Sequence, residues 1–260
     1  LQRSTRVLIA SSMMIPQSKP RYQIGFTLAE IAIVLFIVAL LLGGMLMGLG
    51  ARIDLRNRSA TQDLLKEATD ALLGFAAANG RLPCPATASS MGDESTTGIA
   101  GASPCTNPWG GFLPGRTLGT TQLDANGLVP DGWGNPIRYA VTTATINAFV
   151  ESDGIRREWS GGLSPDLRIC VSGASVSDPG TATADCPSAS RQTANAVAVI
   201  YSLGKNGGLP AGGTGRDESH NPNPRTTIAA DRVFISHEPT AAGTAGGEFD
   251  DMVTWLSPNI

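Results

Sequence analysis

A single carboxylate, Glu30, stands at the leading edge of a long apolar segment and is the residue best placed to do chemistry. From Ile31 to Gly50 no residue carries a charge. An unpaired charge in hydrocarbon is costly, so a carboxylate at this place indicates a partner or a function. The plain alternative is an interfacial glutamate on an ordinary anchor helix, close enough to the lipid headgroups to stay hydrated.

Disulfide formation is the second chemistry that the sequence offers. All the cysteines follow the apolar segment, in a compartment that permits disulfides: Cys84, Cys105, Cys170 and Cys186. Three pairings are possible, and we favour Cys84–Cys105 and Cys170–Cys186 because each would join an irregular loop to the adjacent framework. Each closure contributes about 3 kcal/mol in the chain-entropy model.

Patterns typical of enzymes are absent from the sequence. It contains no Gly-x-Ser-x-Gly, phosphate loop or zinc signature, and His220 and His237, which we expect at the surface, have no nucleophile and acid in a catalytic pattern beside them. A hydrolase would need a nucleophile–base pair, so we predict a protein that is not an enzyme. The net charge of −3 argues against nucleic acid as a partner.

The apolar segment is long enough to cross a bilayer as one helix. The first 25 residues carry basic side chains and no acid, at Arg3, Arg6, Lys19 and Arg21. By the positive-inside rule this end stays in the cytoplasm, and the chain after Arg52 lies across the membrane.

The helix is expected to continue beyond the membrane. Apolar residues recur at helical spacing on one face: Leu64, Leu65, Ala68, Ala71, Leu72, Phe75 and Ala76. Asn79-Gly80 followed by Pro83 is a stop signal. The pattern predicts a helix from about Phe26 to Asn79, on the order of 80 Å long.

Beyond Pro83 the chain changes character. Residues 84–135 are rich in Gly, Pro, Ser and Thr and predict long loops. Strand-like runs follow at Ile137–Thr143, Leu167–Ser172, Ala196–Ser202, Arg232–Ser236 and Met252–Leu256. Their connections lack helical pattern, so an antiparallel sheet lying on one helix is favoured over a parallel, doubly wound fold.

The run Gly25-Phe26-Thr27-Leu28-Ala29-Glu30 resembles the processing site of the type IV pilin and type II secretion pseudopilin superfamily. The resemblance implies cleavage after Gly25 by a prepilin peptidase, followed by N-methylation of the new Phe26 amine. It also implies that Glu30 pairs with the terminal amine of a neighbouring subunit during assembly. The implied fold is pilin-like: an α+β protein whose long N-terminal transmembrane and amphipathic helix packs on an antiparallel sheet with long Gly/Pro-rich loops.

Further segments are similar to those of the major pseudopilins. They are Asp131–Tyr139, with a Trp-Gly-Asn-Pro turn, Tyr201–Gly208, which in those proteins precedes a calcium-binding loop, and the closing run Asp250–Trp255. A calcium ion needs several oxygen ligands, which Asp217, Glu218, Asp250 and Asp251 could contribute. Lys205 stands where an acid is common in that family.

We therefore expect four segments: a leader at 1–25, a transmembrane and filament-core helix at 26–50, its amphipathic continuation at 51–80, and a loop-rich periplasmic β domain at 81–260. The expected function is that of a minor pilin or pseudopilin in a type IV pilus or type II secretion filament. Its expected partners are prepilin peptidase, other subunits, the inner-membrane assembly platform and the lipid bilayer. The alternative is a single-pass, membrane-anchored periplasmic binding or adhesion module that does not polymerise.

Overall fold

The computed structural model describes residues 25–98, 104–209, 212–224, 228–244 and 246–258. These residues divide into two units, which meet in the sequence between Leu49 and Gly50. The predicted leader, residues 1–25, lies outside the described residues except for Gly25.

One long helix, three short α-helices, four 3-10 turns and seven strands make up the regular structure of the described residues. The helices are α1 (Leu28–Asn79), α2 (Gly115–Leu118), α3 (Ala144–Asn147) and α4 (Gly154–Glu158), and the 3-10 turns lie at Trp159–Gly161, Gly173–Ser175, Ser188–Ser190 and Glu218–His220. The strands are β1 (Gly111–Phe112), β2 (Arg138–Val141), β3 (Leu167–Cys170), β4 (Arg191–Ala196), β5 (Ala198–Ser202), β6 (Val233–Ile235) and β7 (Met252–Leu256).

In the first unit, the start of α1 presents large apolar side chains to solvent. Between residues 26 and 42 their exposed fractions run from 43% at Val38 to 89% at Leu28. Over the residues that the structure describes, no helix combines the length and the hydropathy that crossing a bilayer requires. The predicted span from Ile31 to Gly50 includes residues 43–49, whose side chains lie outside the description. The transmembrane prediction is therefore not confirmed.

In the second unit, the remainder of α1 buries one face against the sheet. Leu65, Ala68 and Leu72 are buried in a core shared with residues of β2, β5 and β7. The helix ends where the sequence predicts. Gly80 has a φ of 63°, and its N–H donates to the carbonyl of Ala76 at 2.8 Å, which satisfies one of the last helical carbonyls.

The helix-bearing sheet has four antiparallel strands in the order β1-β2-β5-β7. Strand β5 is buried at every residue, as a continuous apolar run in the middle of a sheet should be. Strand β7 pairs with β5 through five residue pairs, from Ala198–Leu256 to Ser202–Met252. The structure thus agrees with the predicted α+β fold, in which a helix precedes an antiparallel sheet.

A second sheet corrects the prediction of one antiparallel sheet. It has the order β4-β3-β6, and β3 pairs with β6 in parallel. A parallel pair needs a long connection, which residues 171–232 supply. The described part of that connection contains no crossover helix, which the prediction had taken as the mark of parallel strands. All five predicted strands form, and the analysis missed β1 and β4.

Two disulfides join neighbouring segments of the β domain. The structure pairs Cys84 with Cys105 and Cys170 with Cys186, the two local pairings that the sequence analysis favoured. The first lies in the core beneath α1, and the second lies in a separate apolar cluster with Val233. Each disulfide therefore fixes a loop to a different part of the core.

Candidate functional site

The start of α1 holds the residues of the predicted processing site in an accessible arrangement. Gly25 and Phe26 precede the helix and are exposed, and, apart from its chain neighbours, no atom of the described residues lies within 4 Å of the position that a Cβ on Gly25 would occupy. Phe26 exposes 78% of its surface. A peptidase can therefore reach the Gly25–Phe26 bond from the side of the described residues.

Glu30 takes part in a contact that the sequence analysis did not anticipate. The Thr27 N–H lies 3.4 Å from Glu30 Oε2, and the Glu30 N–H donates to Thr27 Oγ1 at 3.2 Å. This reciprocal arrangement is a capping box, which satisfies N–H groups at a helix start. The Thr-x-x-Glu spacing was the available signal. In the unprocessed chain, the carboxylate that the resemblance assigns to assembly thus caps its own helix.

The second unit brings three of the four predicted calcium ligands together. One carboxylate oxygen from each of Glu218, Asp250 and Asp251 lies within 4.8 Å of the others. Glu218 lies in a short 3-10 turn, and the two aspartates are the last two residues before β7. Glu218 is fully buried, and Asp251 is 4% exposed.

Backbone N–H groups hold the Glu218 side chain in place. Its Oε2 atom accepts from the N–H groups of Thr214 and Gly215, both at 3.0 Å, and its Oε1 atom accepts from the N–H of Asp250 at 3.0 Å. The amide nitrogen of Asn206 lies 3.2 Å from both oxygens. Glu218 is therefore oriented by the two loops that flank the cluster.

Two aspartate oxygens of the cluster and the amide oxygen of Asn206, which contacts Glu218, are buried and have no hydrogen-bond partner among the described residues. They are Asp250 Oδ1, Asp251 Oδ1 and Asn206 Oδ1. The opposite oxygens of the aspartates are satisfied: the Lys205 N–H donates to Asp250 Oδ2 at 3.0 Å, and Asn221 Nδ2 donates to Asp251 Oδ2 at 2.6 Å. Buried acceptors without partners are costly, and a bound cation would satisfy them.

The like charges of the three carboxylates repel one another. Burial raises the pKa of Asp250 to about 6, with a further contribution from the Glu218 charge. Burial also raises the pKa of Asp251 well above its usual value, and the charges of Glu218 and Asp250 act in the same direction. Hard oxygen donors from carboxylates and an amide are the ligands that calcium prefers, so the donor set fits this ion.

Asp217, the fourth predicted ligand, lies outside this cluster. Its Oδ1 atom accepts from the Gly173 N–H at 2.9 Å and from Ser172 Oγ at 3.2 Å, and its Oδ2 atom lies 3.4 Å from His237 Nε2. The described bonds connect Ser172 and His237 to this shared acid rather than to each other, so they do not form a nucleophile–base pair. His237 stacks on Phe249 and is half-buried, which corrects its expected place at the surface.

Lys205 does not take the place of a ligand. Its ammonium group pairs with Asp54 of α1 at 2.9 Å, so the side chain points from the loop to the helix. Gly204 precedes it with a φ of 64°, and a Cβ there would collide with Asp250 Oδ1. A glycine at this position lets the backbone approach the aspartate.

The Trp-Gly-Asn-Pro turn also positions the loop that follows β5 and contains Gly204 and Lys205. Asp131 Oδ1 accepts from the N–H groups of Trp133 and Asn135, and its Oδ2 accepts from Ser202 Oγ at 2.5 Å. Asn135 donates to the Gly204 carbonyl at 2.8 Å, which ties the turn to the start of the loop. The turn thus supports the loop beside the candidate cation cluster of Glu218, Asp250 and Asp251.

Two buried asparagines hold the backbone around strand β6, and one of them also contacts the cluster; the sequence analysis missed both. Asn221 donates to the Ile235 carbonyl and accepts from the Ile235 N–H, while Asn223 pairs in the same way with Asp231. Their amides complete the backbone hydrogen bonds at and before strand β6. Asn221 also contacts Asp251, so the second sheet is linked to the cluster.

Comparison with known proteins places the N-terminal segment in a described motif. Residues 20–46 match the prokaryotic N-terminal methylation motif, the signature of type IV pilin and pseudopilin precursors. No curated protein and no solved structure matches the chain. The matched segment contains Gly25, Phe26 and Glu30. The chain therefore carries the signature of a prepilin peptidase substrate, and the proteins that carry this motif are structural rather than catalytic.

Proposed function

We propose that this chain is a minor pilin or pseudopilin, a structural subunit of a bacterial type IV pilus or type II secretion filament. The carrying observation is the methylation motif at residues 20–46, placed at the start of a helix whose large apolar side chains are exposed. A contiguous apolar surface of this kind needs a partner, which is either lipid or other apolar helices.

Processing is the first step of the proposed mechanism. Prepilin peptidase hydrolyses the Gly25–Phe26 amide, and the new Phe26 amine is then methylated. Removal of the leader takes away four basic residues and no acid, so the net charge changes from −3 to −7. The mature chain begins at the apolar helix, with a cationic amine four residues before the Glu30 carboxylate.

Assembly is the second step. The inner-membrane assembly platform moves the subunit from the bilayer into the filament, where apolar side chains of neighbouring helices cover one another. The Glu30 carboxylate pairs with the terminal amine of a neighbour, so both charges are neutralised within apolar surroundings. A displaced subunit leaves both charges unpaired, which fixes the register of the filament. The domain after residue 50 is then periplasmic before assembly.

The intact mass and N-terminal sequence of the protein from membranes test this proposal. We expect a chain that starts at methylated Phe26, and we expect Gly25→Val to remain uncut. Gly74→Val is the matched control, since Gly74 is an exposed helical glycine with open space around it, and this variant should be processed normally.

The same experiment addresses the alternative. An uncut chain in cells with an active prepilin peptidase, together with a dispensable Glu30, would favour the membrane-anchored periplasmic binding module that does not polymerise. Cleavage without incorporation into filaments would also contradict the subunit proposal.

We further infer that Glu218, Asp250 and Asp251, with Asn206, hold one calcium ion in the β domain. The supporting observation is a cluster of three carboxylates in which two aspartates each have a buried oxygen without a hydrogen-bond partner among the described residues. The ion would join the loop after β5 to the start of β7. Equilibrium dialysis with calcium should give one bound ion per chain, and none would contradict the inference.

A further inference from the structure

A groove of about 470 Å³ lies between α1 and strand β7 in the second unit. Arg58, Gln62 and Lys66 line its helix side. The other side is formed by β7, including Val253 and Thr254, and residues 236–239 contribute the remaining wall. The proposed filament function does not account for this surface.

One wall of the groove is the edge of a sheet. Within the part of the chain that the structure describes, β7 pairs with β5 and with no other strand. An edge strand offers backbone N–H and C=O groups that can pair with a further strand. Recognition by strand addition uses these groups for affinity and side-chain contacts for specificity.

The helix wall of the groove carries two basic side chains, Arg58 and Lys66, that can pair with a ligand. None of the ion pairs among the described residues involves Arg58 or Lys66. The two acids that line the groove do not lie on the helix wall. Glu238 is exposed on the loop, and Asp251 is buried and hydrogen-bonded to Asn221. The helix wall is therefore complementary to acidic side chains.

The spacing of the helix residues matches that of an extended peptide. Residues 58, 62 and 66 are successive members of an i, i+4 row, about 6 Å apart along the helix axis. Side chains on one face of a strand are about 6.8 Å apart. A strand that lies along the groove can therefore direct an acid to Arg58, a neutral polar residue to Gln62 and a second acid to Lys66.

We propose that this groove binds an extended acidic peptide segment of a partner protein, which adds to the edge of β7 and places acids two strand positions on either side of a neutral residue. The backbone of the segment pairs with β7, and its acids pair with Arg58 and Lys66. The proposal depends on the second unit alone and stands whether or not the chain assembles into filaments.

Fluorescence anisotropy on the full-length protein in detergent micelles tests the proposal. The probe is a fluorescein-labelled peptide of sequence Thr-Glu-Val-Thr-Val-Glu-Thr, whose two acids and central threonine share one face. We expect saturable binding that weakens about tenfold in Arg58→Gln/Lys66→Gln. The matched control, Arg52→Gln/Arg56→Gln, removes two exposed cations that do not line the groove and should bind like the wild type.

Two further peptides separate the charge contacts from strand addition. A peptide with lysine in place of both glutamates should bind at least tenfold more weakly, and so should the acidic peptide with N-methylated backbone amides. Absence of binding by the acidic peptide overturns the proposal. Equal binding of the lysine or N-methylated peptide also overturns it, as does an equal loss in the two double variants. Melting curves of both double variants establish that each is folded.

Discussion

Replacement of Asp251 by asparagine is expected to have opposite effects on stability in the absence and in the presence of calcium. Asp251 is 4% exposed, and its Oδ1 atom has no hydrogen-bond partner. Its raised pKa results from burial and from the charges of Glu218 and Asp250. Without a cation, removal of one of these charges relieves repulsion, so Asp251→Asn should raise the free energy of unfolding by about 1 kcal/mol in EDTA.

Calcium is expected to reverse the relative stability of the wild type and Asp251→Asn. An ion that binds only the folded chain adds about 2.7 kcal/mol to the free energy of unfolding when free calcium is about one hundred times Kd. For a domain of this size, that raises Tm by about 5–10 °C. Asp251→Asn removes one charged ligand, so its gain from calcium should fall below about 1 kcal/mol. The variant should thus melt above the wild type in EDTA and below it in calcium.

Thermal unfolding of the full-length protein in detergent, followed by near-ultraviolet circular dichroism, gives the Tm of the wild type and of the variant in EDTA and in calcium. Asp217→Asn is the matched control, because Asp217 was a predicted ligand that the structure instead places on the Gly173 N–H and Ser172. It should lower Tm equally in EDTA and in calcium and keep the calcium increment. An unchanged wild-type Tm in calcium, or equal increments in Asp251→Asn and Asp217→Asn, would refute the reasoning.

Three other predictions test separate parts of the structure. Arg81→Gln breaks a bidentate pair with Glu94 (2.7 and 2.8 Å) and should cost about 1–2 kcal/mol. Burial alone would raise the pKa of Glu94, but the Arg81 guanidinium and the Cys84 N–H lower it below the ordinary glutamate value of 4.5. The pair therefore stabilises the fold above that pH, and this contribution, measured by urea unfolding, disappears as the pH falls below it through the lowered pKa. Gly132→Ala should destabilise by about 2 kcal/mol in the same assay, because a Cβ there would collide with the Asn57 carbonyl of α1, whereas Gly134→Ala, with open space around it, should cost about 1 kcal/mol through its φ alone. Glu30→Gln should be cleaved and methylated normally by mass spectrometry but should be lost from sheared filaments, and its incorporation at wild-type levels would contradict the assembly role of the charge.

Periodicity predicted the elements that are stabilised by a repeating apolar face. The spacing of Leu65, Ala68 and Leu72 gave the buried side of α1, and Asn79-Gly80 gave its end. Strand β5 was visible because every residue in it is buried. Strand β4 was missed because it alternates little and is mostly exposed or half-buried, and β1 because it contains two residues.

Contacts between distant segments of the chain were beyond the reach of the sequence. The parallel pairing of β3 with β6 depends on the path of residues 171–232, which pass through β4 and β5 of two different sheets before they return to β3. The candidate cation cluster was predicted in composition only, since Asp217 and Glu218 are adjacent in sequence and yet turn to different partners. The support from Asn221 depends on a buried amide that joins Ile235 of β6 to Asp251, the residue before β7. No local sequence signal predicts this contact.

The candidate cation cluster and the proposed peptide groove share one residue, and this makes them energetically dependent. Asp251 contributes an oxygen to the cluster and also lines the groove immediately before Met252, the first residue of β7. A cation on Asp250 and Asp251 restrains the start of the strand whose edge receives the peptide. Ordering of that edge before binding lowers the entropy that the peptide must offset, so calcium should raise peptide affinity. By reciprocity, the peptide should raise calcium affinity by the same factor.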